Sequence, residues 1–292
     1  AMHAKNKEEW LSFLTTQDTP ILDYTQAMLK ELYQRIDDID LRDIALLIKH
    51  DPLLSLKLFK TQERLRSRQQ ITDVTTLERI LLMIGLSGFF KTFGSSQSIE
   101  TLLQHNPVAI ECCRLTCARA FLASQIAEAI SRTHRDIDPN EVVTAALLHE
   151  TAEILLWIAA PKLMLEVKDK LRFNPELRSK DVQIQILGCS INEIQQALVQ
   201  TWHLPQMLSH LIDEEFSNEA RVRIVTISTA IARHTEWSWG NHYFKQDIEQ
   251  CADLLNLAKD DVYQLILSVV LKCAKQHRWF NVQATAARII EQ

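Results

Sequence analysis

Apolar residues recur every three or four positions along nearly the whole chain, which is the spacing of one buried face of an α-helix. Prolines, glycines and short polar stretches separate the periodic segments, and no segment alternates strictly enough to predict a strand. The pattern therefore predicts an all-α protein. Its expected helices lie at 21–35, 41–49, 53–59, 76–83, 85–93, 107–132, 138–158, 191–202, 205–214, 220–234, 247–255 and 260–275.

Pairs of a polar residue and a proline predict where several helices begin. A proline suits the first helical position, and the side chain before it can accept a hydrogen bond from the free N–H groups there. At the last of these pairs, Glu141 stands three residues after the cap and is predicted to reach back to it. One helix of about twenty residues is expected to start there and to carry His149 on its core-facing stripe. The four pairs are Thr19-Pro20, Asp51-Pro52, Asn106-Pro107 and Asp138-Pro139.

Composition supports a globular chain with reduced cysteines. The 292 residues are 47% hydrophobic and include six cysteines, which show no spacing of a disulfide framework. The net charge of −5 provides no general attraction to nucleic acid or anionic lipid. Apolar runs such as 154–161 are shorter than the roughly 20 residues of a membrane span, and no secretory leader pattern opens the chain. We therefore expect a cytoplasmic protein, and we interpret Ala1-Met2 as a remnant of cloning.

Four ordered motifs resemble the HDOD family, the output-domain relatives of the HD phosphohydrolases, over roughly residues 20–275. The resemblance implies a multi-helix HD-like bundle with an N-terminal helical subdomain at 19–105 and an HD-like core at 106–275. Residues 1–18 would add a tag and an amphipathic helix, and 276–292 a helical tail. The motifs occupy 40–58, 71–86, 145–150 and 197–205.

The metal ligands of a working HD site are mostly replaced at the positions that this resemblance assigns. Such a site needs two histidines and two aspartates, which hold divalent metals that activate water. Here Leu115 stands at the first histidine, His149-Glu150 at the His-Asp pair, and Thr229 near the distal aspartate. Glu153 replaces a lysine that is common in relatives. The sequence therefore predicts no catalytic, metal-binding or cofactor-binding residue and no phosphohydrolase activity, with His149, Glu150 and Glu153 as the remnant of a site.

Two interpretations of that remnant stay open. One is a reused metal site formed by His149, Glu150, Glu153 and His210, with residual phosphohydrolase activity; the other is a partly buried polar cluster whose members bond to one another. Trp157 and His210 are candidates for lining a ligand cleft, although tryptophans at helical spacing are more often core residues. The cysteines at 112, 113 and 117 are similarly interpreted either as a thiolate site or as small core hydrophobes.

The pattern of residues 43–68 is similar to that of a helix-turn-helix, and it predicts DNA binding as a competing function. Lys57, Lys60 and Arg64 are followed by further arginines, so the segment could contact DNA phosphates. Most of residues 53–59 in the supposed recognition helix nevertheless have apolar side chains, so the helix has few groups that could bind base edges. Binding to DNA is therefore kept as an alternative, and nucleic acid is not the expected partner.

The favoured prediction is a catalytically inactive bacterial signal-transduction module that binds a protein partner, a nucleotide or another small ligand, with no membrane contact. It would receive its input by association, because the chain has no room for a receiver domain. An apolar stripe through Trp10 near the N-terminus and another at Trp279-Phe280 and Ile289-Ile290 could dock a partner. The preferred interpretation is that both stripes simply cover the core.

Overall fold

The computed structural model describes residues 4–66 and 76–284, in which all regular elements are helical apart from one isolated bridge between Ile21 and Ser98. The all-α prediction is confirmed. The N-terminal helices are α1 (Lys7–Thr16), α2 (Asp23–Gln34), α3 (Leu41–His50), α4 (Pro52–Arg66), α5 (Leu77–Phe93) and α6 (Ile99–Leu102). The following helices are α7 (Pro107–Ser131), α8 (Pro139–Leu148), α9 (Thr151–Ala159), α10 (Pro161–Phe173), α11 (Ser179–Leu187), α12 (Ile191–Thr201), α13 (Met207–His210), α14 (Ala220–Trp237), α15 (His242–Leu255), α16 (Lys259–Ala274) and α17 (His277–Phe280).

Helix α7 is the centre of the bundle and packs against α8, α9, α14 and α16. Small side chains such as Cys113, Cys117 and Ala120 are fully buried along it, which lets neighbouring helices approach closely. The hydrogen bond between the Cys113 and Cys117 thiols, together with burial, raises the pKa of Cys117 well above its ordinary value. These cysteines therefore fit the interpretation of core hydrophobes rather than that of a thiolate site.

Three of the four predicted helix caps are present. Asp51 accepts hydrogen bonds from the Leu53 and Leu54 N–H groups, and the side chains of Asn106 and Asp138 cap α7 and α8 in the same way. Thr19 is not a cap, because α2 begins only at Asp23. Its hydroxyl instead accepts a hydrogen bond from the Lys60 amine at 2.8 Å.

The predicted reach of Glu141 back to its cap is wrong. Its carboxylate forms an ion pair with Arg221 at 3.0 Å, which links the start of α8 to α14. A charged partner across the helix interface has therefore replaced the local backbone partner.

Helix α5 contains the break that the sequence predicts between residues 83 and 85. Gly85 has φ +72° and ψ 169°, a backbone conformation that side chains with a Cβ rarely adopt, so the glycine allows a kink there. Helices α10 and α11 were not among the predicted segments. The motif portion at 71–74 and the apolar pair at 289–290 lie outside the described residues.

Both terminal helices cover the core, in line with the preferred interpretation. Trp10 of α1 is 1% exposed, and its indole N–H donates to the Leu187 carbonyl at 2.8 Å. Phe280 of α17 is buried against Phe121 of α7, with ring centroids 5.5 Å apart. Neither residue is free to anchor a partner without being pulled from the bundle.

Within residues 4–66 and 76–284, one segment, Pro139–Ala159, is long and apolar enough by composition to cross a membrane, but 72% of the 18-residue stretch that meets this criterion is buried inside the bundle. This segment is longer than apolar runs such as 154–161, on which the expectation of no membrane span is based. Its burial among other helices is what the core helix of a soluble protein shows, and it is compatible with such a protein.

Candidate functional site

The helix that carries the His149-Glu150 pair is broken at that pair. Helix α8 ends at Leu148 and α9 begins at Thr151, so the prediction of one continuous helix of about twenty residues is wrong. The break leaves the Leu148 carbonyl and the Ala152 N–H without their usual helical partners. The buried Gln195 side chain on α12 satisfies both, donating to Leu148 at 3.0 Å and accepting from Ala152 at 2.9 Å. A side chain distant in the sequence therefore provides hydrogen bonds to buried backbone groups at the break.

Arg119, which the sequence reasoning did not single out, lies at the centre of the site. Its guanidinium donates to both carboxylate oxygens of Glu150 at 2.8–3.0 Å. It also donates to Glu153 at 3.0 Å and to Glu236 at 2.9 Å. One arginine on α7 thus joins the turn between α8 and α9, the first turn of α9 and the end of α14. We call Arg119, Glu150, Glu153 and Glu236 the arginine–glutamate cluster.

Most of this cluster is shielded from water. The side chains of Arg119 and Glu150 are 14% and 9% exposed, whereas Glu153 and Glu236 are 28% and 21% exposed. Despite burial, the three carboxylates raise the pKa of Arg119 well above its ordinary value. Burial opposes ionisation of Glu150, but the charge of Arg119 and its hydrogen bonds hold the Glu150 pKa below the ordinary value. The bidentate pair is therefore fully charged at neutral pH.

Glu153 differs from Glu150 in its electrostatic surroundings. Burial raises the pKa of Glu153, Arg119 opposes this, and repulsion from Glu150 and Glu236 adds to the rise. The charge of Arg233 also lowers the Glu153 pKa, but it does not cancel the rise. The arrangement can hold a proton at Glu153 more readily than at Glu150.

His149 lies beside the arginine–glutamate cluster but is not bound within it. Because the Ala146 carbonyl can only accept, the imidazole Nδ1 is the donor in their 3.1 Å contact. Burial lowers the pKa of His149, against the pull of Glu150, so the ring is neutral at pH 7. Its Nε2 is 3.8 Å from the Glu150 carboxylate, which exceeds hydrogen-bond distance.

The residues of this site do not fit a divalent metal. Carboxylates and a neutral imidazole are suitable donors by type, but the three carboxylates all bind the Arg119 guanidinium at 2.8–3.0 Å. Within the ranges 4–66 and 76–284, no group of three or more histidine, cysteine, aspartate or glutamate side chains is placed to hold a metal ion. A fixed organic cation stands where the carboxylates converge.

The structure brings together only part of the predicted remnant. His149, Glu150 and Glu153 are neighbours, and Trp157 follows one turn later on α9 with 4% of its surface exposed. His210 is on α13, where its ring stacks on Phe216 with centroids 3.7 Å apart. The roles of Trp157 and His210 as cleft-lining residues stay predictions.

Two residues of the cluster that the sequence reasoning missed, Arg119 and Glu236, lie close in the sequence to positions assigned to lost ligands, Leu115 and Thr229. Arg119 comes one helical turn after Leu115, on the same side of α7. Glu236 comes seven residues, about two turns, after Thr229 on α14, and the Thr229 hydroxyl donates locally to the Thr226 carbonyl at 3.0 Å. The sequence signal is that Arg119 stands between small residues of α7, Ala118 and Ala120, where an arginine needs an acidic partner if it is buried.

The segment with a helix-turn-helix cadence does not present a free recognition helix. Residues 52–59 of α4 are all buried, including Lys57. The Lys57 amine donates to the Thr19 carbonyl at 2.5 Å, and the Lys60 amine stands 4.8 Å above the Trp202 ring. Lys57 and Lys60 are thus used inside the protein, which argues against the DNA-binding alternative, whereas Arg64 is exposed and the side chains of the arginines after it lie outside the described residues.

These features define an all-helical HD-like bundle with an arginine among its central carboxylates. The HDOD domain family model matches residues 20–216, so the chain belongs to the HDOD domain family. No curated protein sequence matches the chain significantly.

Solved structures share this fold at low sequence identity. The MmoQ response regulator from Methylococcus capsulatus str. Bath has a TM-score of 0.65 and 17% identity, covering 86% of this chain and 98% of its own. A virulence factor from Campylobacter jejuni subsp. jejuni has a TM-score of 0.58 and 17% identity, covering 93% and 99%. An HDOD domain protein of unknown function from Geobacter sulfurreducens has a TM-score of 0.50 and 14% identity, covering 95% and 100%. These likenesses show the fold, and the family model supports an HD-related role.

Proposed function

We propose that this chain is a catalytically inactive HDOD module of bacterial signal transduction, working in the cytoplasm by binding a protein partner. Its family membership and its likeness to a response regulator support the regulatory part of this proposal. In this role the bundle is a binding surface whose helix packing responds to the partner. Neither a metal nor a cofactor takes part.

The observation that carries the proposal is the position of the Arg119 guanidinium. A metal-dependent phosphohydrolase needs a cation with open coordination positions, at which water and phosphate oxygens bind. A guanidinium has only N–H donors and cannot ligate water as a Lewis acid. Because Glu150, Glu153 and Glu236 all bind Arg119, their carboxylates are occupied in holding helices together.

Metal content and turnover test the absence of catalysis. Protein purified without chelator would be analysed for bound metal and then assayed for phosphodiesterase activity with Mn²⁺, beside a His149→Ala variant. We expect metal far below one equivalent and no turnover above the buffer rate in either protein. Stoichiometric metal together with turnover that disappears in His149→Ala would refute the proposal.

Co-purification from the native host tests the binding role. The full-length chain would be captured under mild conditions, and both the bound proteins and any small molecules released by denaturation would be identified. A specific protein recovered in constant ratio supports the proposal. Recovery of a retained nucleotide and no protein would instead make the chain a ligand sensor.

A further inference from the structure

The turn between α10 and α11 presents an apolar tip on the surface. Phe173 is 75% exposed, and Leu177 and Ile184 are 38% and 42% exposed within the next eleven residues. The turn is built by local hydrogen bonds: the Asn174 side-chain amide donates to the Lys170 carbonyl at 2.9 Å. Helix α11 packs mainly on α10, and its last residue, Leu187, also contacts α1 through the Trp10 indole, while the turn between α10 and α11 stays at the surface. We call Phe173, Leu177 and Ile184 the hairpin tip.

Charged residues of both signs surround the hairpin tip. Arg172 is placed with its guanidinium 5.9 Å from the Phe173 ring, and Arg178 precedes α11. Glu176 lies between them in the turn. Across 161–187 six basic and four acidic side chains leave a positive excess, in a chain whose net charge is −5. The tip is therefore an apolar anchor with a mixed, mainly basic border.

A second surface of the protein has the opposite character. A cleft of about 230 Å³ lies where the turn after α13 meets α14 and α15. A cavity of roughly 150 Å³ is enough for benzene, so a phenylalanine ring fits within this volume. Its apolar lining includes Leu211, Ile212 and Val222, and its charged lining is Asp213, Glu214 and Arg223.

We propose that the hairpin tip of one copy inserts into this cleft of a second copy of the same chain. Phe173 would enter between the apolar lining residues, which removes its exposed surface from water. The border of two arginines and one glutamate faces a rim of two acids and one arginine, so the signs are complementary. Because tip and cleft are different surfaces, the contact is head-to-tail and can continue into rings or chains.

The mixed signs at the tip favour a protein occupant over a lipid surface. An anionic bilayer attracts Arg172 and Arg178 but repels Glu176, and it offers a single phenylalanine little anchoring. A cleft with fixed charges can match each sign separately. This inference deepens the proposed binding role and rests on it for its meaning, but it names the partner as another copy of the chain.

Sedimentation velocity of the full-length protein tests the proposal from about 5 µM to about 500 µM, because a contact this small binds weakly. Three variants are compared: Phe173→Ser in the tip, Ile212→Lys in the cleft, and Leu271→Ser as a control on an equally apolar, 50% exposed position of α16. Melting temperatures close to the wild-type value show that each variant is folded. We expect concentration-dependent association of the wild type and of Leu271→Ser. Each interface variant should need about tenfold higher concentration or more.

Mixing the two interface variants gives the decisive result. Phe173→Ser keeps an intact cleft and Ile212→Lys keeps an intact tip, so an equimolar mixture should form a heterodimer that neither forms alone. A monomeric wild type throughout the range, association unchanged in both variants, or no recovery on mixing would each overturn the proposal. Binding of monomers to vesicles of anionic lipid, lost in Phe173→Ser, would also overturn it. A failure of this kind leaves the metal, turnover and co-purification results of the proposed function unaffected, so the two can fail separately.

Discussion

Replacing Arg119 with methionine removes the cation that joins three helices while keeping a long apolar stem in the same space. The Arg119 guanidinium is the common partner of Glu150, Glu153 and Glu236 at 2.8–3.0 Å. In Arg119→Met these carboxylates stay close together with no opposite charge between them. We expect a large loss of stability, because a buried charge without its partner is costly.

The magnitude follows from how deeply each pair is buried. Arg119 and Glu150 are 14% and 9% exposed, so their pair behaves as a buried one, whose disruption costs about 3–5 kcal/mol. Glu153 and Glu236 are more exposed, and water screens their contribution. A loss of about 3–5 kcal/mol lowers the melting temperature of a chain this long by about 5–15 °C.

The same argument fixes how the loss depends on pH. In the wild type the folded-state pKa of Glu150 lies below its ordinary value, so its contribution is present at neutral pH and is lost as the pH falls through the folded pKa. In Arg119→Met burial and mutual repulsion raise the carboxylate pKa values, and stability is lost as the pH rises through them. The difference between the two proteins should therefore shrink as the pH is lowered from about 7 to about 5.

Urea unfolding followed by circular dichroism at the two pH values measures both effects. Arg221→Met is the matched control, since Arg221 pairs with Glu141 at 3.0 Å and Glu219 at 3.2 Å but is 41% exposed. Its loss should stay within about 1 kcal/mol. A loss in Arg119→Met no larger than that of the control, or one that is equal at both pH values, would refute the reasoning.

Three further perturbations test other long-range contacts. Gln195→Leu should lower the free energy of unfolding in urea by about 1–3 kcal/mol, because the buried Ala152 N–H loses its partner, whereas the Leu148 carbonyl keeps the Thr151 hydroxyl at 2.7 Å. Gln200→Leu on the exposed face of α12 should change it by less than about 0.5 kcal/mol, and equal losses would contradict this. Gly188→Ala puts a Cβ 1.8 Å from the Lys5 carbonyl oxygen at a φ of +83°, so α1 should detach and be cut faster in limited proteolysis; unchanged protection would argue against the contact. Burial lowers the pKa of Lys60 from 10.5 to about 8, so between these pH values the folded state binds fewer protons than the unfolded state. The free energy of unfolding should therefore rise with pH across this window. In Lys60→Met the rise should be absent, and its persistence would exclude Lys60 as the cause.

The parts of the fold that could be predicted are those encoded within a few residues. The caps at Asp51, Asn106 and Asp138 depend on one side chain and the N–H groups just after it, which the sequence displays directly. The division of α5 at residue 84 is likewise visible in the apolar spacing, but the interpretation of Gly85 as a close-packing residue is wrong: a Cβ there would meet nothing within 4 Å, and the glycine provides a positive φ instead. Thr19 has the same local pattern, but its oxygen atoms serve lysines of α4 instead. A distant partner can therefore override a cap signal.

Only part of the candidate site could be predicted from the sequence, because the two contacts that form it join residues far apart in the chain. The break at His149 and Glu150 depends on Gln195, which is more than forty residues away, while the local pattern continues as a smooth apolar helix. Arg119 and Glu236 come together across 117 residues of sequence. The resemblance assigns Leu115, His149, Glu150 and Thr229 to the ligand positions, but nothing in it indicates that Arg119 binds the neighbouring carboxylates.

The nature of that replacement decides what the centre of the bundle can do. A metal binds by mass action and stabilises its site only when it is present, whereas the Arg119 guanidinium is part of α7 and holds its partners permanently. Its donors bind the carboxylates of Glu150, Glu153 and Glu236, so they keep α7, α9 and α14 in one arrangement. Helix α9 carries Glu153 in its first turn and is joined through Ala160 to α10 at its other end. In the proposed role the arginine–glutamate cluster therefore resists any movement of α9 that a docked partner imposes, and a partner that shifts the packing has to break the bonds of Arg119.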